Sequence, residues 1–216
     1  MKKALFIFGT RPEAIKMASS INEFKNSSEF NTKVLVSAQH REMLDQVLAV
    51  FNIKPDYDLN LMSKNQSLEL ITSKIINQTS LIINEFSPDI IFVQGDTTTT
   101  FAASLSAFYN QIPVAHIEAG LRTENKYSPF PEEINRRMTT CIASYHFPPT
   151  VNAKNNLLRE GVNEKFIKTT GNTVVDSLLK CSKKIEKNLK LYEKIFYDEY
   201  NLDFSNKKTI LVTGHR

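Results

Sequence analysis

The sequence predicts an α/β fold, a parallel sheet covered by helices on both faces, and two observations predict it. Short apolar runs rich in β-branched and aromatic residues alternate with longer segments of helical period, the order expected of βαβ units. Each short run also ends in polar or charged residues, as strands do when their carboxyl ends form a ligand-binding rim.

The first strand is Ala4–Phe8, leaving through Gly9-Thr10-Arg11 into a helix over Glu13–Phe24. Lys33–Ser37 is the second strand; Gln39-His40-Arg41 follows it and a helix covers His40–Phe51. A helix over Leu68–Phe86 precedes the strand Ile90–Gln94, whose exit is Gly95-Asp96 before a helix over Thr99–Tyr109. The strand Val114–Glu118 ends on a carboxylate, and a further helix runs from about Pro131, suited to a first helical position, to Ala143. TVNAKNNLLREG reads as a helix closed by Gly161. From Val174 to Tyr200 an apolar stripe at Ile185, Leu189, Tyr192 and Phe196 fits one helix face. TILVT is a last strand, leaving through His215-Arg216.

The chain has 216 residues, more than the roughly 100 to 150 of a common single domain, so one domain plus part of another is expected. Its 27 basic and 23 acidic residues give a net charge of +4, which does not call for a nucleic-acid or membrane partner. The lysines between 174 and 200 read as a solvated helix surface, because no aromatic or glycine-rich nucleic-acid motif accompanies them. Cys141 and Cys181 lack the paired spacing of zinc or redox motifs and read as reduced packing residues of a cytoplasmic protein. The N-terminal apolar run is too short for a signal peptide.

His116 to Arg137 holds four glutamates and three arginines. Glu118 and the loop behind it belong on the same rim as Arg11, His40 and Asp96. Several of these residues also have a local structural reading. Asp96 could cap the following helix. Glu132 and Glu133 suit a first helical turn, with Arg136 and Arg137 each four residues on. Lys16 could pair with Glu13 one turn earlier. Arg11, leaving a strand just before a Pro-started helix, is placed to hold phosphate. Glu118 on a strand buried on both faces needs a cation, a donor or a ligand. The four histidines show no metal-ligand spacing, so no metal site is expected, and His116 and His146 read as structural. FGTRPEA is neither a dinucleotide fingerprint nor a Walker A sequence.

FGTRPEAIKMA, SAQHREMLDQVL, VQGDTTTT, HIEAGLRT, YSPFPEEINRR, TGNTVVDSL and LVTGHR resemble, in order, the motifs of the non-hydrolysing bacterial UDP-N-acetylglucosamine 2-epimerases, from Phe8 to Arg216. The resemblance implies a glycosyltransferase-B-like fold of two Rossmann-like domains, here with the second truncated. On that reading residues 1–173 are the N-terminal domain, 174–207 a linking helical segment and 208–216 the first strand of the second. It further implies a homodimer that converts UDP-N-acetylglucosamine reversibly to UDP-N-acetylmannosamine for surface polysaccharides, with no cofactor or metal. Asp96, Glu118, Glu132 and His215 match the family's essential residues. Arg11, Lys16 and Arg136 match substrate-binding positions. Gln39, His40 and Glu42 are candidate regulatory positions, and members regulated by a second substrate molecule carry glutamine where this chain has Glu42. A hydrolysing 2-epimerase and a non-catalytic sugar-nucleotide binding fragment are the alternatives.

Overall fold

The computed structural model describes residues 1–38, 41–61, 66–204 and 208–213. The chain divides into two compact units, Met1–Val174 and Val175–Arg216.

The first unit is built on six parallel strands: β1 (Lys2–Phe8), β2 (Phe30–Val36), β3 (Tyr57–Asp58), β4 (Ile90–Gln94), β5 (Val114–Ile117) and β6 (Tyr145–Phe147). Their order is β3-β2-β1-β4-β5-β6, that of a complete Rossmann-like sheet. Helices α1 (Arg11–Asn26), α2 (Arg41–Val50), α3 (Leu68–Phe86), α4 (Thr98–Tyr109), α5 (Glu132–Ile142) and α6 (Val151–Arg159) connect and cover them. The order reverses direction at β1, so a crevice is expected beyond the carboxyl ends of β1 and β4.

β1 shows why the sheet is covered twice. Its side chains alternate between faces, and both sets are apolar. Ala4, Phe6 and Phe8 pack with Met17, Ala18 and Ile21 of α1 and with Leu44 and Leu48 of α2. Leu5 and Ile7 pack with Ile75, Ile82, Ile83 and Phe86 of α3 and with Ala102, Ala103 and Ala107 of α4. Phe6 stacks on Phe92 of β4 at 4.6 Å, which holds the two strands of the crevice in register. Farther along, α6 closes on the exit of β5 at Gly120, where a Cβ would lie 2.3 Å from the Ala153 carbonyl oxygen. Only glycine allows that approach.

Several local expectations are corrected. β3 and β6 were not expected; at two and three residues they are too short to show an alternating pattern. Pro131 is the N-cap of α5, so the helix proper begins at Glu132. The expected single helix face from Val174 to Tyr200 is broken into α7 (Val174–Lys187) and α8 (Leu189–Tyr200). Asn188 breaks it, with φ −129° and its side-chain amide donating to the Lys184 carbonyl, the backbone competition typical of asparagine. Residues 208–213 form no strand, and Ile210, Leu211 and Val212 are exposed. A strand exists only through a partner's ladder, and nothing among the described residues supplies one there. Both cysteines are free, but Cys141 is exposed rather than packed. No helix of the described residues is long and apolar enough to cross a membrane.

Candidate active site

The exits of β1, β4 and β5 bring Arg11, Lys16, Asp96 and Glu118 to one rim, and the first turns of α5 add Glu132 and Arg136. Glu118 lies just past the end of β5 rather than on it, with φ +63°. That left-handed conformation costs a non-glycine residue about 1–3 kcal/mol, which the contacts around it must offset. It turns the carboxylate toward α1. Lys16 Nζ donates to both Glu118 oxygens, at 2.8 and 2.6 Å, across 102 residues of sequence. Gln94 Nε2 and Asn172 Nδ2 also donate to it.

Tertiary contacts select among the local pairings open to these residues. Lys16 does not pair with Glu13, whose carboxyl is buried and accepts from the Gly9 and Thr10 amides. Asp96 does not cap α4; Thr97 does, accepting from the Thr100 amide. The Asp96 carboxylate is instead 2.7 Å from Arg136. Burial raises its affinity for a proton, Arg136 opposes that, Glu132 and Glu118 raise it further, and Lys16 lowers it. Asp96 is therefore within electrostatic reach of both other carboxylates.

Glu133 does follow the local reading, paired with Arg137 at 2.8 Å and with Arg136 at 3.5 Å. Glu132 does not. It forms no ion pair among the described residues, and its Oε2 is buried without a hydrogen-bonding partner there. A buried, unpartnered carboxylate oxygen costs about 1–3 kcal/mol, more when charged, so Glu132 keeps an oxygen that no described residue satisfies.

Arg11 is exposed at the start of α1 with no hydrogen bond or ion pair among the described residues, beside amide groups at a helix N-terminus. Glu42 is exposed in the first turn of α2. Gln39, His40 and His215 lie outside the described residues. His116 is fully buried and donates from Nε2 to the Gly95 carbonyl at 2.7 Å; burial pushes its pKa down to about 3. It braces the Gly95–Asp96 turn from behind, a structural part. His146 is likewise lowered by burial, to about 4. Among the described residues no cluster of three or more His, Cys, Asp or Glu side chains could hold a metal.

Sequence reasoning missed the supporting polar residues. Asn135 Nδ2 donates to the Asp96 carbonyl at 3.0 Å and ties α5 to the β4–α4 turn. Gln94, the last residue of an otherwise apolar strand, was a visible signal, as was the Thr10-Arg11-Pro12-Glu13 capping-box pattern. Asn172 carried none, since its approach to Glu118 depends on the path of a distant loop.

The family description "UDP-N-acetylglucosamine 2-epimerase" matches residues 22–216. A UDP-N-acetylglucosamine 2-epimerase of Salmonella borreze is 57% identical over 218 residues, covering all of this chain and 57% of the relative. The crystal structure of the UDP-GlcNAc 2-epimerase of Neisseria meningitidis bound to UDP-GlcNAc is 51% identical with a TM-score of 0.89, over 95% of this chain and 55% of that one. The galactosyltransferase WaaB, at 19% identity and a TM-score of 0.57, shares the glycosyltransferase-B-like fold alone. The chain thus spans about half the length of the curated relatives it matches. By the family match, by identity and by fold, it belongs to the UDP-N-acetylglucosamine 2-epimerase family.

Proposed function

We propose that the full-length protein interconverts UDP-N-acetylglucosamine and UDP-N-acetylmannosamine by eliminating UDP and adding it back. The observation that carries this reading is the meeting of three carboxylates on one rim with two cations. Asp96 and Glu118 are held by Arg136 and Lys16, and Glu132 has a buried oxygen left without a partner.

C2 of the sugar is not beside a carbonyl, so its proton is weakly acidic and leaves in company with the C1–O bond. A carboxylate takes the C2 proton, the C–H electrons form the C1=C2 bond of 2-acetamidoglucal, and the C1–O electrons depart with UDP. On return a diphosphate oxygen attacks C1 while C2 is protonated from the opposite face. Asp96 and Glu132 act as the acid and base pair. Asp96 is suited to hold a proton, because burial and its acidic neighbours raise its affinity for one. Glu118, fixed by Lys16, Gln94 and Asn172, holds and polarises the sugar. Arg11 and His215 stand near the diphosphate, where charge develops as it leaves. Lys16 and Arg136 support the carboxylates they pair.

The same reading makes residues 1–173 the N-terminal domain, 174–207 a linking helical segment and 208–216 the start of a second domain. It also makes the protein a homodimer supplying surface polysaccharide precursors, a reading that rests on the family membership, and a cytoplasmic one, with which the two free cysteines agree. Product analysis tests the reaction. The full-length protein given UDP-N-acetylglucosamine should form UDP-N-acetylmannosamine; accumulation of free N-acetylmannosamine and UDP instead would make it a hydrolase.

A further inference from the structure

Glu13 has no part in the chemistry above, yet its carboxyl is buried between the two turns that flank the crevice. Oε2 accepts from the amides of Gly9 at 3.0 Å and Thr10 at 2.7 Å, both at the exit of β1. Oε1 lies 2.7 Å from the Thr97 hydroxyl and 3.1 Å from the Thr100 hydroxyl, both at the start of α4. One side chain thus joins the turn ahead of Arg11 to the turn that carries Asp96.

Counting hydroxyl protons gives this carboxyl a protonation state. Thr100 has a single hydroxyl proton, and the Gln94 carbonyl, which can only accept, takes it at 2.6 Å. The Thr100 oxygen therefore faces Glu13 Oε1 as an acceptor. Two acceptors 3.1 Å apart in a buried site repel unless one carries a proton. With the proton on Glu13 Oε1 every group is satisfied in one direction. Thr97 donates to Glu13 Oε1 at 2.7 Å, the proton on that oxygen is donated to Thr100 at 3.1 Å, and Thr100 donates to the Gln94 carbonyl. The groups facing Glu13 are amides and hydroxyls, with no cation among the described residues to balance a charge.

We propose that Glu13 is a positioning residue that stands as a neutral carboxylic acid and, through this hydroxyl chain, fixes the β1–α1 turn against the β4–α4 turn. Burial of the carboxyl favours the same neutral form. The chain ends on the backbone of Gln94, whose side chain donates to Glu118, so Glu13 sets the spacing of Asp96 and Glu118 from Arg11 without touching substrate. The positioning role rests on the epimerase reading; the protonation state does not.

The experiment has two arms, both on the full-length protein. In the first, the carboxyl carbon of Glu13 is read by NMR without substrate, assigned by its loss in Glu13→Gln. A protonated carboxyl at neutral pH is expected, and an ionised carboxylate there overturns the proposal. In the second, kinetics of Glu13→Gln and Glu13→Ala are compared. The glutamine amide can accept from Gly9 and Thr10 and donate to both hydroxyls, so it should keep wild-type turnover. Alanine should lower kcat roughly 10²-fold with KM little changed, the effect of misplacing reactive groups by a fraction of their spacing. Equal losses in the two variants overturn the proposal, since a charged Glu13 is lost in both. Should the alanine variant not fold, the carboxyl signal and the glutamine variant still decide. An unmutated protein that does not epimerise would overturn the assigned reaction instead, a failure seen before any variant is made.

Discussion

Arg136 reaches across from α5 to Asp96 at 2.7 Å, and Glu132, one turn before it on the same helix, is left without an ion pair among the described residues. The i, i+4 pairing open to Glu132 and Arg136 is passed over in favour of a contact between elements. An exposed pair of that kind is worth only about 0.2–0.5 kcal/mol, so little stability is forgone. The result is a carboxylate pair in which one member is braced and the other keeps an oxygen that no described residue satisfies.

The first prediction follows from that arrangement. Asp96→Asn and Glu132→Gln in the full-length protein should each lower turnover by roughly 10²- to 10⁴-fold while the fold, read by circular dichroism, is kept. A purely structural part for either residue would leave turnover near normal and change stability only slightly.

Arg136 supplies a second prediction, in pH. It lowers the proton affinity of Asp96, so removing the cation favours the neutral carboxyl and raises the Asp96 pKa. The limb of the pH–rate profile set by Asp96 should move to higher pH in Arg136→Gln. A limb that stays in place, or moves down, would mean that Asp96 does not set it.

His116 makes a prediction about stability. Its folded pKa is depressed to about 3 from 6.5, so below pH 6.5 the unfolded chain binds a proton that the fold refuses. The stabilising contribution is complete above pH 6.5 and is lost as pH falls toward 3, with His146 adding to the same trend from 6.5 to about 4. At pH 5 the loss from His116 should be about 2 kcal/mol. Hydrogen exchange of the β4 and β5 amides at pH 7 and pH 5 measures it, and His116→Gln should flatten the difference.

The parts of this picture differ in how far the sequence revealed them. Alternating apolar and helical segments placed β1, β2, β4 and β5, because a doubly covered strand such as Leu5 to Phe8 must be apolar on both sides. β3 and β6 were not legible, since two or three edge residues carry no period. The rim positions of Asp96 and Glu118 were legible from strand exits alone. Their partners were not: Lys16 lies one turn from Glu13 in sequence, yet the left-handed turn at Glu118 brings a carboxylate from 102 residues away closer to it. Local spacing describes which pairs a helix permits, and tertiary packing selects among them.

A fourth prediction concerns residues 1–216 taken alone. The first unit should fold, since all six strands and their covering helices lie within Met1–Val174, but it should not epimerise at a useful rate. Without a facing domain the carboxylates meet bulk water, whose high dielectric weakens each interaction they make. Turnover comparable to the full-length protein would show that no second wall is needed.

In the proposed reaction Asp96 and Glu132 exchange the C2 proton across the sugar. Epimerisation by the full-length protein in deuterated water tests it most directly, with the C2 position of the product read by NMR in the wild type and in Asp96→Asn and Glu132→Gln. Deuterium at C2 in the wild-type product, with incorporation collapsing in both variants, is the predicted result. Epimerised product without deuterium at C2, or incorporation undiminished in either variant, would contradict it.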